Sequence, residues 1–75
     1  MRNDIYVKNL CKNICFLWRK HGLPREEMAA LLEADEGMLM QIENGQLPPE
    51  LTFDALVRFS RRCDVELDKL FLAVE

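Results

Sequence analysis

A small all-α domain of five helices is what this sequence predicts, and three observations carry that expectation. Apolar residues recur at spacings of three and four along most of its length, the period of a buried helical face. Residues that start and stop helices fall between those stretches, and no run alternates apolar with polar as a strand does. With 75 residues there is one domain, 1–75, and a net stability of roughly 3–5 kcal/mol. The balance of 49% apolar and 31% charged residues is that of a folded globular chain.

Each element follows from its residues. Asn3 or Asp4 is expected to cap the first helix, whose apolar set is Val7, Leu10, Cys11, Ile14, Leu17 and Trp18. Gly22 is expected to end it in the left-handed C′ conformation, with Lys20 and His21 at the negative end of the dipole. Pro24 opens the second helix, where its missing N–H costs nothing. Glu26 and Glu27 suit its first turn, Met28, Leu31 and Leu32 face inward, and it ends near Leu32 or Glu33. Asp35 caps a third helix with Leu39 and Ile42 inward, stopped by Asn44-Gly45. Leu47-Pro48-Pro49-Glu50-Leu51 is a loop, because each proline restricts the residue before it. Thr52 caps a fourth helix with Phe53, Leu56, Val57, Ser60 and Cys63 facing in. A short fifth carries Val65, Leu67, Leu70 and Phe71.

The longest apolar run, Ile14 to Trp18, is far below the ~20 residues of a membrane span, and no signal-peptide h-region is present. A cytoplasmic protein without membrane contact is expected. Cys11, Cys15 and Cys63 are odd in number, which favours reduced thiols. His21 brings the potential zinc ligands to four, but no Cys-x-x-Cys or His-x-x-x-His pair begins a site, so no metal and no cofactor is expected. Cys11 and Cys15 lie one turn apart and could form a redox pair. Their place in an apolar stripe makes packing the expected role. No catalytic nucleophile and base, and no glycine-rich phosphate loop, are spaced for an enzyme. Helix dipoles alone account for Glu26-Glu27 and Asp35-Glu36.

Two short helices joined by a turn of three or four residues, here over about 24–44, form a helix-turn-helix. Gly22-Leu23, Glu27-Met28-Ala29, Leu39, Ile42-Glu43-Asn44-Gly45, Pro49 and the closing Val65-Glu66-Leu67-Asp68-Lys69-Leu70-Phe71 stand in an order and spacing that carry a resemblance. From Ile14 to Phe71 the chain resembles the lambda-repressor-like domains of phage and bacterial repressors. The resemblance implies a DNA-binding transcriptional regulator whose recognition helix, Asp35 to Glu43, enters the major groove of double-stranded DNA while the second helix braces it. By position it assigns Arg25, Glu36, Gly37, Met38 and Gln41 to the DNA-facing surface, and Asn44 and Gln46 to the loop near the backbone. Met28, Ala29, Leu32, Leu39 and Ile42 become core.

Several residues depart from that pattern. Relatives carry donors to phosphate and bases on the groove face, whereas Asp35 and Glu36 place carboxylates there. Glu33 replaces the turn glycine, so a left-handed backbone there is strained. The loop from Gly45 to Thr52 is two residues longer. Trp18 stands where relatives often have an arginine paired to the equivalent of Glu43, a pairing open to Arg19.

Charge divides the functional readings. Residues 1–22 carry five bases against Asp4, net +4, and residues 23–51 carry Arg25 against seven acids, net −6. DNA affinity rests largely on neutralised phosphates, so the acidic third opposes it unless Lys8, Lys12, Arg19 and Lys20, or Arg58, Arg61 and Arg62, border the groove. The alternative is a degenerate helix-turn-helix acting as a protein–protein interaction module. The apolar C-terminal residues, Leu67, Leu70, Phe71, Leu72 and Val74, suggest a homodimer through the last helix. The competing view is that Leu70 and Phe71 close the core and leave only Leu72 and Val74 over.

Overall fold

The computed structural model describes the backbone of residues 2–72 and the side chains of residues 5–72. Four α-helices, α1 (Arg2–Lys20), α2 (Arg25–Leu32), α3 (Glu36–Glu43) and α4 (Phe53–Arg62), are followed by a 3-10 helix, Leu67–Phe71. No strand occurs among the described residues. α1 packs against α3 and the 3-10 helix, and α2 packs against α3 and α4.

Two expectations about element ends are corrected. α1 already begins at Arg2, so Asn3 and Asp4 lie inside its first turn instead of capping it. The fifth element is not an α-helix. Its bonds run over three residues, Lys69 N–H to Glu66 O at 3.0 Å and Leu72 N–H to Lys69 O at 3.3 Å, the tighter winding that short pieces adopt. Asn13 of α1 holds this turn, its Nδ2 donating to Leu70 O at 2.7 Å and to Leu72 O at 2.6 Å. Asn9 adds a bond to Phe71 O at 3.3 Å.

The core forms where the helical faces converge: Leu10 and Ile14 from α1, Met28 and Leu32 from α2, Leu39 and Ile42 from α3, Phe59 from α4, and Leu70. The α1 stripe is the expected one. The inward face of α4 keeps the expected Leu56, Ser60 and Cys63 and adds Ala55 and Phe59, while Val57 is half-buried and Phe53 is not part of it. Phe53 is 63% exposed, while Ala55, Leu56, Phe59, Ser60 and Cys63 are buried. Thr52 is the cap, with Oγ1 accepting from Ala55 N at 3.1 Å, so Phe53 is the first helical residue. Phe53 and Phe59 lie about 120° apart around the helix, and Phe53, at its first position, is left outside the core. Of the leftover apolar residues at the C-terminus, Leu72 is exposed, Leu70 is buried and Phe71 is half-buried. Val74 lies outside the described residues.

All four α-helices end in the same way. A residue in the left-handed region at C′ lets the next N–H bond back five residues: Leu23 to Trp18 O (3.1 Å), Ala34 to Ala29 O (2.9 Å), Gln46 to Gln41 O (2.8 Å) and Val65 to Ser60 O (3.0 Å). Glycine supplies that conformation at positions 22 and 45, but Glu33 (φ 51°) and Asp64 (φ 58°) adopt it against Cβ crowding. Glu33→Gly should therefore raise stability by about 0.5–1 kcal/mol. The exposed contact of Glu33 with Arg58 at 3.5 Å offsets only a few tenths of that. A lower thermal midpoint for the variant contradicts this account of the turn.

Candidate nucleic-acid interface

The unit of α2, a short turn and α3 is built by local chemistry. Pro24, in extended conformation (φ −66°, ψ 154°), is the N-cap of α2 and not, as expected from the sequence, its opening residue; the helix begins at Arg25. Glu33, Ala34 and Asp35 form the turn, and the Asp35 carboxylate accepts from Met38 N at 2.9 Å to start α3. Leu39 and Ile42 anchor α3 inward.

Around these helices one cation has been taken up by two acids. The Arg25 guanidinium donates to Glu43, Nη1 to Oε2 at 2.9 Å, and pairs with both carboxylate oxygens of Glu36. It also lies over the Trp18 ring, 5.2 Å from its centroid. The bonds to Glu43, and then those to Glu36, push its pKa above the ordinary arginine value. Trp18 is fixed in turn, its Nε1 donating to Leu23 O at 2.7 Å. The pairing that the sequence left open to Arg19 thus falls to Arg25, reaching from α2 across Trp18. The guanidinium of α2 crosses the indole of α1 to reach the carboxylate of α3.

The other residues assigned by position divide. Glu36, Gly37, Asn44 and Gln46 are exposed, and Gln41 is half-buried, on or just after α3. Met38 is corrected: at 8% exposure it is buried, one residue before the anchoring Leu39, and offers nothing to a groove. Met40, 52% exposed, takes the apolar place on the outer face; it is three residues from Glu43 and four from Glu36, which put all three on one side. Bases of α4 are also engaged. Arg62 Nε pairs with Glu27 at 2.8 Å, and Arg58 donates through Nε to Leu31 O at 3.1 Å. These links tie α4 to α2. The bases presented on α1 include Lys12, Arg19 and Lys20, all exposed.

The cysteines are free thiols, with Cys11 and Cys63 buried and Cys15 half-buried. Among the described residues no three His, Cys, Asp or Glu side chains gather where a metal ion could be held. Burial, with a smaller contribution from Cys15, pushes the Cys11 thiol from 9.0 up to about 11. The folded state keeps this proton where the unfolded chain loses it. The associated stability is complete below pH 9 and is lost as pH rises towards about 11, by at most about 1.4 kcal/mol per pH unit. Urea midpoints should fall over that window in the wild type and fall less in Cys11→Ala; equal losses in both contradict the assignment.

No helix among the described residues is long and apolar enough to cross a membrane. Neither a family model, nor a curated protein, nor a solved structure matches this chain.

Proposed function

We propose that this chain is a helix-turn-helix domain of the lambda-repressor-like type that serves as a protein-interaction module, with the outer face of α3 meeting a basic, partly apolar protein surface. The engagement of Arg25 by Glu36 and Glu43 carries this reading. Arg25 is the one cation at the positions that the resemblance assigns to DNA, and two carboxylates exceed its charge. With Asp35 beside them, the surface repels a polyphosphate. Arg58 and Arg62 are turned to α2 instead of adding cations.

A second reading, the DNA-binding transcriptional regulator, is favoured by one observation. Gln41, Asn44 and Gln46 leave amide groups on or near the outer side of α3, and amides can bond base edges and phosphates. Titration with random-sequence duplex DNA at low salt, followed by backbone NMR, separates the two. The module reading expects no shifts clustered on Gly37, Gln41 and Asn44 with DNA in large excess. A cluster there, weakening steeply with salt, establishes the regulator reading instead.

A further inference from the structure

Two exposed stripes on this molecule are written in the same spacing and opposite charge. On α1, Lys12, Phe16 and Arg19 stand at i, i+4 and i+7, with Phe16 49% exposed between two exposed bases. On α3, Glu36, Met40 and Glu43 stand at i, i+4 and i+7, with Met40 52% exposed between two exposed acids. Residues at these spacings share one side of a helix. Lys20 Nζ lies 5.9 Å from the Phe16 ring centroid and adds to the positive surroundings of that ring.

The stripes border one another. Between α1 and the end of α3 runs an open groove of about 270 Å³, walled by Lys12, Phe16 and Arg19 on one side and by Ile42 and Glu43 on the other. Glu43 nevertheless turns to Arg25 at 2.9 Å, and no ion pair to Lys12 or Arg19 is formed across the groove among the described residues. Arg25 neutralises one of its two carboxylate partners in charge, so the α3 stripe stays acidic while the α1 stripe stays basic.

We infer that the basic partner of α3 is α1 of a second copy of this chain: a two-fold homodimer in which Met40 of each copy enters beside Phe16 of the other, with Lys12 and Arg19 facing Glu36 and Glu43. This rests on the module reading and names its partner. Because the two stripes adjoin, a two-fold axis brings each against its complement, and every contact occurs twice. The interface lies away from the C-terminal 3-10 helix and covers the face that a DNA-reading helix needs free.

Charge exchange tests it. Lys12→Glu/Arg19→Glu and Glu36→Lys are prepared as separate proteins; Glu43 is kept in both so that Arg25 retains a partner, and NMR spectra confirm that each folds. Sedimentation from micromolar to millimolar concentration should show the wild type dimerising, more weakly at high salt. Each variant alone should dimerise about tenfold more weakly or not at all, since like charges then meet. An equimolar mixture of the two should recover part of the association, because one half of the interface regains its original charges and the other sets the introduced lysine against the introduced glutamates. A wild type that stays monomeric at millimolar concentration overturns the homodimer. So do dimers that survive these changes but are lost in Leu72→Asp, which place the interface at the C-terminal end. Neither result touches the module reading, which fails on DNA-induced shifts at α3 instead.

Discussion

Truncating Phe59 to alanine should leave the domain largely unfolded at room temperature. Phe59 is among the largest side chains that are wholly buried, and it joins α4 to a core drawn from every other helix. Removing such a ring costs about 3–5 kcal/mol, through lost burial and the cavity left behind. A chain of this length has roughly that much stability in total, so a substitution elsewhere survivable is here decisive. Phe53→Ala is the matched control: its ring is 63% exposed, and the change should cost within about 0.5 kcal/mol. Urea titration of the two proteins reads both values. A Phe53 variant as damaged as the Phe59 variant puts Phe53 in the core, as the sequence alone suggested.

The second large effect is a gain. Asp35→Ser/Glu36→Arg changes the N-terminal turn of α3 by three charge units, one from the aspartate and two from the glutamate replaced by arginine. Serine caps a helix about as well as aspartate, and Arg25 keeps Glu43, so the fold should persist. Affinity for nonspecific duplex DNA at low salt should rise about tenfold or more, and the gain should shrink as salt rises. The same change should weaken self-association through α3. Fluorescence anisotropy with labelled DNA measures the first effect. Unchanged affinity means that the acids of α3 are not what opposes DNA.

The parts of the fold that were legible in the sequence are those set by local rules. The α1 stripe, the Asp35 and Thr52 caps and the stops at Gly22 and Gly45 each depend on residues within a turn or two of one another. What failed needed the third dimension. Phe53 and Phe59 both fit an apolar pattern, and only packing against the other helices decides which is buried. The grip of Asn13 on the 3-10 helix spans more than fifty residues of chain and leaves no periodic trace. For the candidate site, the positions from Arg25 to Gln46 came from resemblance, and Met38 shows its limit: exposure depends on the exact turn of α3 against its neighbours. The Trp18–Arg25–Glu43 contact was half visible, because the resemblance singled out Trp18 and Glu43 and left the pairing of Glu43 open to Arg19. The part of Arg25 was hidden because it comes from another helix, with Trp18 serving as the platform it crosses.

Arg25 is held between two carboxylates, and the Nε–Hε signal of that side chain reports on it directly. In the free protein the hydrogen bond to Glu36 should slow its exchange with water relative to an unpaired arginine such as would be produced by Glu36→Gln/Glu43→Gln. Adding duplex DNA in large excess at low salt should leave its position and exchange rate unchanged. A signal that shifts and broadens with DNA, and recovers when salt is raised, shows the guanidinium leaving its two carboxylates for phosphate, and contradicts the account.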